Sequence, residues 1–275
     1  MRTRISVLTL LTVLACYIVS AQSPEPPIVP GARVPGQNTA EEQLYAEDGG
    51  ARGSTLESII IPPKAKAPLT FILETEWARG LADGGAITTA NKRRIARDAE
   101  GRIYQERWLL VPKNGKQESA MTAIQISDPI THTLYSCFPH DPKKRCQLVT
   151  YTPSPETIFN FQGPASGKLS DGSGDIVRLD LGKQLVSGVE ASGTRVTVNY
   201  NADVFGNDRP MTIEREFWYS PKLGFNLLSK RSDPRIGTQT FTVTNLILSD
   251  PDPKLFELPE GFTVVDERKT SPPQN

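Results

Sequence analysis

The chain has 275 residues, and its 31 basic and 31 acidic side chains give a formal net charge of zero. A nearly neutral protein lacks the overall field that attracts nucleic acid or an anionic membrane, so we expect neither as a partner. The 23 prolines, 21 glycines and 7% aromatic residues are typical of many turns between short strands.

The N-terminus has the parts of a secretory signal peptide. Arg2 and Arg4 supply positive charge, 5–19 is uncharged and largely apolar, and small side chains precede Gln22. The apolar run is shorter than the roughly 20 residues that a membrane span needs. We therefore predict a signal peptide over 1–21, a periplasmic or secreted mature protein with a net charge of −2, and no transmembrane span in the mature chain.

Two alternatives to this cleavage stay open. The run Val13-Leu14-Ala15-Cys16 resembles a lipobox, which would make the protein an outer-membrane lipoprotein attached through Cys16. The apolar run continues beyond Cys16, whereas lipoproteins usually turn polar there. The other alternative is an uncleaved N-terminal anchor.

The mature chain reads as one β domain over 57–265 between two polar segments. Residues 22–56 are rich in proline and have no apolar period, so we predict a disordered tether. Residues 266–275 are polar and are expected to be a disordered tail.

The β domain shows short alternating runs separated by turn residues, which predict about eleven strands in an all-β sheet or barrel with minor α content. No window sustains the period of a long helix, and the best short helix is Asp252 to Phe256. Residues 153–174 form one long loop rich in Pro, Gly and Ser. The predicted strands are 68–78, 86–97, 102–111, 120–127, 131–138, 146–152, 176–181, 189–199, 211–220, 224–232 and 238–248.

Cys137 and Cys146 flank a segment of turn-forming residues between two strand-like runs. A hairpin would bring their Cβ atoms face to face, as a disulfide requires. The competing interpretation is a metal pair, but the single histidine of this loop, His140, gives three ligands at most. In an oxidising compartment the sequence favours the disulfide.

Residues that could carry chemistry do not form a known catalytic or metal-binding pattern. The loop 163–169 lacks the spacing and the Ser/Thr of a phosphate loop, and 171–182 lacks the Gly and Glu of a calcium loop. His132 and His140 lie in or beside a turn. The acid pairs Glu74/Glu76 and Glu214/Glu216 each share a strand face, which is typical of a solvated sheet surface. We predict no enzyme activity, no cofactor and no metal.

Basic residues are concentrated on one predicted hairpin, where they outnumber the acids by three. The set could contact an anionic head group, a glycan or an acidic partner, but such a cluster more often marks an exposed hairpin protected from edge pairing. The residues are Lys92, Arg93, Arg94, Arg97, Arg102 and Arg107, against Asp98, Glu100 and Glu106.

Two ordered series of residues resemble a family of exported proteins of soil acidobacteria, over about 69–265. The first is Arg97-Asp98-x-Glu100-Gly101-Arg102, and the second runs from Gly188 to Pro259. More remotely, the layout is similar to the LolA/LolB-like periplasmic lipoprotein carriers. The signature residues are Arg97, Asp98, Gly101, Arg102, Glu216, Trp218, Tyr219, Ser220, Pro221, Asp233 and Pro234.

The resemblance implies a curved antiparallel sheet, a half-barrel or open barrel, whose apolar concave face can hold acyl chains. The chain lacks the clear helices that line the cavity of the carriers. We expect an exported, non-catalytic binding or carrier-like module for a lipid-like ligand in the cell envelope. The alternative is a structural or interaction protein of the periplasm or cell surface, with an envelope protein as partner. Candidate ligand-lining residues are Phe71, Leu73, Trp77, Tyr104, Trp108 and Phe225.

Overall fold

A computed structural model describes residues 58–153 and 164–268 of the chain. The predicted signal peptide over 1–21 and the predicted tether over 22–56 lie outside the described residues, as does most of the predicted tail. The described residues form one open, curved sheet of 14 strands that does not close into a barrel. The prediction of an all-β fold with a curved antiparallel sheet is therefore confirmed.

The strand count is 14 rather than about eleven because three of the strands are too short to give a periodic signal. β4 and β8 have two residues each, and β14 has four. In chain order the strands are β1 (Leu69–Gly80), β2 (Ala86–Arg97), β3 (Ile103–Trp108), β4 (Val111–Pro112), β5 (Met121–Asp128), β6 (Thr133–Cys137), β7 (Arg145–Thr150), β8 (Gly167–Lys168), β9 (Gly174–Val186), β10 (Val189–Tyr200), β11 (Met211–Ser220), β12 (Phe225–Asp233), β13 (Gly237–Ile247) and β14 (Thr263–Asp266).

The sheet consists of two meanders that meet where β1 pairs with β13. The strand order is β14-β7-β6-β5-β3-β2-β1-β13-β12-β11-β10-β9-β8, and β4 pairs with β2 beside this path. All pairs are antiparallel except β14, which runs parallel to β7. Strands that follow one another in sequence are thus mostly neighbours in space, as short hairpin connections require.

Alternation along β1 decides which side of the sheet becomes the core. Its apolar residues occupy every second position and are buried, and cross-strand pairing places Ile95 opposite Phe71 and Val243 opposite Leu73. Because successive side chains of a strand point to opposite faces, these residues share one side, which we call the inner face. The apolar core of the sheet lies there.

The other side, the outer face, is covered in part by the one helix of the described residues, a 3-10 helix over Pro253–Phe256. Asp252 caps it by accepting a hydrogen bond from the Lys254 amide at 3.0 Å, at the start of the short helix that the sequence predicts. Phe256 packs against Ala96 and Tyr104. In the part of the chain that is described, no helix is long and apolar enough to span a membrane.

Candidate functional site

The inner face carries a continuous apolar cluster. Phe71 on β1 and Phe225 on β12 are fully buried, and their rings stack with centroids 5.7 Å apart although β13 lies between the two strands. Strands two apart in a flat sheet are about 9.5 Å apart, so the two rings meet because the sheet curves around this face. Further members of the cluster are Leu69, Leu73, Trp77, Ile95, Ile103, Leu227, Phe241 and Val243.

A segment without secondary structure covers this cluster. Residues 58–67, which we call the strap, precede β1, and their Ile59 and Ile61 are each only 3% exposed within the apolar cluster. Beside the strap, the turn between β2 and β3 needs glycine: Gly101 has φ +87°, and an added Cβ would lie 2.9 Å from the Pro63 carbonyl oxygen. The strap thus fits closely where the chain enters the sheet.

Two buried arginines hold the strap. Arg97 donates to the carbonyl oxygens of Ala67 at 2.9 Å and Pro62 at 2.8 Å, and Arg93 donates to Ser58 Oγ at 2.5 Å. Burial lowers the pKa of Arg97 to about 10, so the guanidinium stays protonated at neutral pH. The strap is therefore fixed by charge-assisted hydrogen bonds to its backbone as well as by its two isoleucines.

The interpretation of the basic cluster as an exposed hairpin is wrong for three of its six residues, while the side chains of Lys92, Arg94 and Arg102 stay 34–71% exposed. Arg93, Arg97 and Arg107 are at most 4% exposed, because β2 and β3 are central strands and alternation turns these side chains inward. Arg107 donates to Gln125 Oε1 at 2.8 Å and Arg93 to Gln105 Oε1 at 3.0 Å. The inner face thus has a polar part beside the apolar cluster.

The six candidate ligand-lining residues are divided between the two faces. Phe71, Leu73, Trp77 and Phe225 lie together on the inner face and are buried. Tyr104 pairs with Ala96 and lies on the outer face, where it packs near the 3-10 helix, and Trp108 lies with it. Only the first four can share one apolar groove, and a ligand role for them stays a prediction. The two strap isoleucines were not among the candidates, although the run Ile59-Ile60-Ile61 ahead of two prolines was a visible signal.

On the outer face, Glu106 is the centre of a buried hydrogen-bond cluster. It accepts hydrogen bonds from Tyr104 Oη at 2.9 Å, Trp108 Nε1 at 2.9 Å and Arg94 Nη2 at 2.8 Å. Burial favours the protonated acid, but these donors outweigh it and lower the pKa of Glu106. Burial together with Glu106 raises the pKa of Tyr104. A carboxylate with its oxygens so occupied fits a structural role rather than that of a base.

The same arrangement of hydrogen bonds occurs again in the second meander, where it includes two of the signature residues. Glu216 accepts from Trp218 Nε1 at 2.8 Å and from Arg195 Nη2 on the neighbouring strand at 2.8 Å. Each time, the glutamate binds the indole two positions later on its own strand and an arginine across the sheet. The spacing Glu-x-Trp was present in the sequence, but only the pairing of the strands shows which arginine completes it.

The remaining signature residues shape turns. In the β2–β3 turn, Asp98 accepts hydrogen bonds from the backbone amide of Arg102 at 2.8 Å and from Arg102 Nε at 2.6 Å. Asp233 accepts from Arg235 Nη2 at 2.8 Å ahead of Gly237, where a Cβ would lie 2.1 Å from the Ala78 carbonyl oxygen. The signature residues Tyr219, Ser220, Pro221 and Pro234 lie at the ends of β11 and β12 or in the turns that follow them.

The acid pairs considered for catalysis form ion pairs with bases on neighbouring strands or directly after one. Glu74 lies 2.7 Å from Lys92, and Glu76 lies 2.5 Å from Lys113. Arg195 lies 3.6 Å from Glu214. Within 58–153 and 164–268, no group of three or more His, Cys, Asp or Glu side chains is placed to hold a metal ion.

Cys137 and Cys146, for which the sequence predicts a disulfide, form one in the structure. They are directly opposite each other on β6 and β7, and both are fully buried. The parallel strand β14 adds to β7 beside this bond, with Val264 opposite Cys146. The crosslink therefore restrains the end of the first meander and lies apart from the apolar cluster of the inner face.

No family model and no curated protein matches the chain, so the resemblance to an acidobacterial family stays an expectation. Among solved structures, a MucA/MucB complex from Pseudomonas aeruginosa is 11% identical, with a TM-score of 0.31. The match covers 68% of this chain and 55% of that chain, a little over half of its length.

Two other solved structures are similar at the same low level. Lipoprotein LppX from Mycobacterium tuberculosis is 9% identical, with a TM-score of 0.27 over 68% of this chain and 89% of that one. A putative outer membrane lipoprotein-sorting protein domain from Vibrio parahaemolyticus is 9% identical, with a TM-score of 0.25 over 70% and 90%. Likenesses at these TM-scores establish neither a shared fold nor a shared function.

Proposed function

We propose that the chain is an exported, non-catalytic binding module of the cell envelope and that a lipid-like ligand binds on the apolar cluster of the inner face. The proposal rests on which part of the chain covers the apolar cluster. The described residues place no helix over this cluster; they place the strap there, with Ile59 and Ile61 as its apolar contacts. An irregular segment of this kind is a cover that a ligand can replace.

The free energy of apolar burial favours such a replacement. Burial of two isoleucine side chains contributes about 3–6 kcal/mol. An acyl chain contributes about 0.8 kcal/mol per buried methylene, so one of about 16 carbons gains roughly 12 kcal/mol before the entropy of ordering it. Even a partly buried chain therefore competes with the two isoleucines, and the hydrogen bonds of Arg93 and Arg97 to the strap add to what the ligand has to displace. Phe71, Leu73, Trp77 and Phe225 would form the wall of the opened groove.

Titration of the exported chain with a fluorescent fatty acid tests the proposal. We expect saturable binding in the range of about 1–50 µM, with a change in tryptophan emission because Trp77 lies in the wall. In the double variant Ile59→Ala/Ile61→Ala the strap holds less firmly, and affinity should rise by about tenfold. If neither the wild type nor the double variant shows saturable binding, the proposal is refuted.

Ile60→Ala is the matched control, because Ile60 is only half-buried and lies outside the apolar cluster. It removes the same side-chain atoms as either of the two strap substitutions does, from the same segment, and we expect it to leave the affinity unchanged. An equal rise in affinity for this variant would show that the effect does not arise from uncovering the inner face.

The second candidate function is that of an interaction protein of the periplasm or cell surface. It is favoured by the outer edge of β9, where no strand of the described residues pairs with 179–186 and a protein partner could add a strand. In that case the strap is a permanent part of the core, and neither the chain nor its strap variants bind an acyl chain.

A further inference from the structure

Within 58–153 and 164–268, little of the chain pairs with the outer edge of β9. β9 pairs with β10 over its whole length, from Gly174 to Val186, but β8 covers only Asp175 and Ile176 on the other side. The Ser166 hydroxyl extends this cover to Arg178 by accepting its amide at 2.8 Å. From Leu179 to Val186, no strand of the described chain pairs with the outer edge. Such an edge presents backbone donors and acceptors that a further strand can use, except that the Gly182 amide already donates to Asp180 Oδ1 at 2.8 Å.

Large apolar side chains are exposed on both faces of this edge. Leu179 is 52% exposed, and Leu185, at 74%, is the most exposed large apolar residue of the described chain. They point to opposite faces because a bulge at Leu181 interrupts the alternation. A strand added to the edge would therefore cover apolar surface on each side of the sheet.

The bulge also places opposite charges so that this edge complements itself. Asp180 pairs with Thr194 and Lys183 with Ser192, so the two charges point to the same face. When a second β9 runs antiparallel about a two-fold axis between Leu181 and Gly182, each Asp180 lies opposite the other copy's Lys183. A shift by two residues instead brings Arg178 opposite Lys183, a repulsive pair. The charges thus favour one register.

We propose that the outer edge of β9 joins two copies of this chain by antiparallel pairing centred between Leu181 and Gly182. The pairing is isologous, so each contact occurs twice, as closed two-fold dimers require. Lys183 lies 2.9 Å from Glu190 of its own chain, but both side chains are more than 60% exposed. Such a surface pair is weak, and Lys183 can contact both carboxylates. The proposal is independent of whether the inner face binds a ligand.

Sedimentation equilibrium of the exported chain between about 1 and 200 µM tests the pairing, in the range expected for a small interface. We expect a monomer–dimer equilibrium in the wild type. Lys183→Glu places an acid opposite Asp180 twice, and Asp180→Lys places two bases together. Each variant alone should raise the dimer dissociation constant by about tenfold or more.

The two variants in equimolar mixture should restore dimers, because the heterodimer again has one opposite-charge pair at each contact. Lys92→Glu is the matched control: Lys92 also forms an exposed ion pair, with Glu74, but lies on a central strand. It should dimerise as the wild type does. If a reversed variant fails to fold, Lys183→Gln and Asp180→Asn replace the pair and should each weaken the dimer.

A wild type that stays monomeric throughout, variants that dimerise as the wild type does, or a mixture of folded variants that remains monomeric would each overturn the proposal.

Discussion

Phe71→Ala tests whether the apolar cluster of the inner face is a packed core in the free protein. Phe71 is fully buried and stacks on Phe225 at 5.7 Å. Removal of a buried phenylalanine side chain costs about 3–5 kcal/mol, from lost burial and from the cavity that remains. The stacking contributes about 0.5–1.5 kcal/mol of this loss. We therefore expect the free energy of unfolding to fall by about 4 kcal/mol.

Urea unfolding followed by tryptophan fluorescence measures the loss, with the disulfide intact and no ligand added. A cycle with Phe225→Ala and the double variant isolates the coupling of the two rings, expected at about 1 kcal/mol. Phe205→Ala is the control: Phe205 is 51% exposed in a loop, and its removal should cost less than about 1 kcal/mol.

A loss below about 1 kcal/mol for Phe71→Ala would refute this reasoning. It would mean that Phe71 is not packed against protein in the free state and that the strap does not cover it. The inner face would then be an open groove before any ligand binds.

Four further outcomes are expected. Glu106→Gln should cost about 2–4 kcal/mol of stability, because the amide cannot accept from all its donors, whereas Glu76→Gln at an exposed ion pair should cost under about 1 kcal/mol. The Arg235 guanidinium holds the pKa of Asp233 at about 2, so this residue contributes about 2 kcal/mol above pH 4 that is lost as the pH falls from about 4 to 2. Replacement of both cysteines of the disulfide by serine should lower stability by about 2–3 kcal/mol. The exported chain should begin at Gln22.

Each of these has its own test. Chemical unfolding at neutral pH compares the two glutamate variants, and equal losses would contradict the hydrogen-bond argument. Asp233→Asn should flatten the pH dependence of stability below pH 4. An unchanged dependence would show that Asp233 is not its source. Two thiols that react with an alkylating agent without reductant would refute the disulfide. N-terminal sequencing tests whether the chain begins at Gln22. A lipid-modified Cys16 would contradict this prediction and would place the protein on a membrane.

Much of the fold follows from local signals in the sequence. The period-two alternation of β1 and the turn residues between strands predict a meander, since both depend only on near neighbours. The cap of the 3-10 helix is equally local: Asp252 and Pro253 satisfy the first turn wherever the segment lies. The pairing of Cys137 with Cys146 needs only a hairpin between them.

Features that depend on distant parts of the chain could not be predicted in this way. β14 adds parallel to β7 across more than one hundred residues of sequence, and four residues give no periodic signal. The basic residues of β2 looked like an exposed cluster because polar residues in alternating strands usually face solvent. Pairing on both sides of β2 and β3 puts Arg93 and Arg107 inside, with amide side chains as partners.

The candidate site shows the same division. From the sequence we predict an exported β protein with apolar side chains on many strands and no window periodic enough for a long helix to cover them. Which of these side chains share a face depends on the register and curvature of the whole sheet, which bring Phe71 to Phe225 and place Tyr104 on the other side. What covers them depends on the sheet as well, because the place of Ile59 and Ile61 depends on hydrogen bonds from Arg97, which is distant in sequence but adjacent in the sheet.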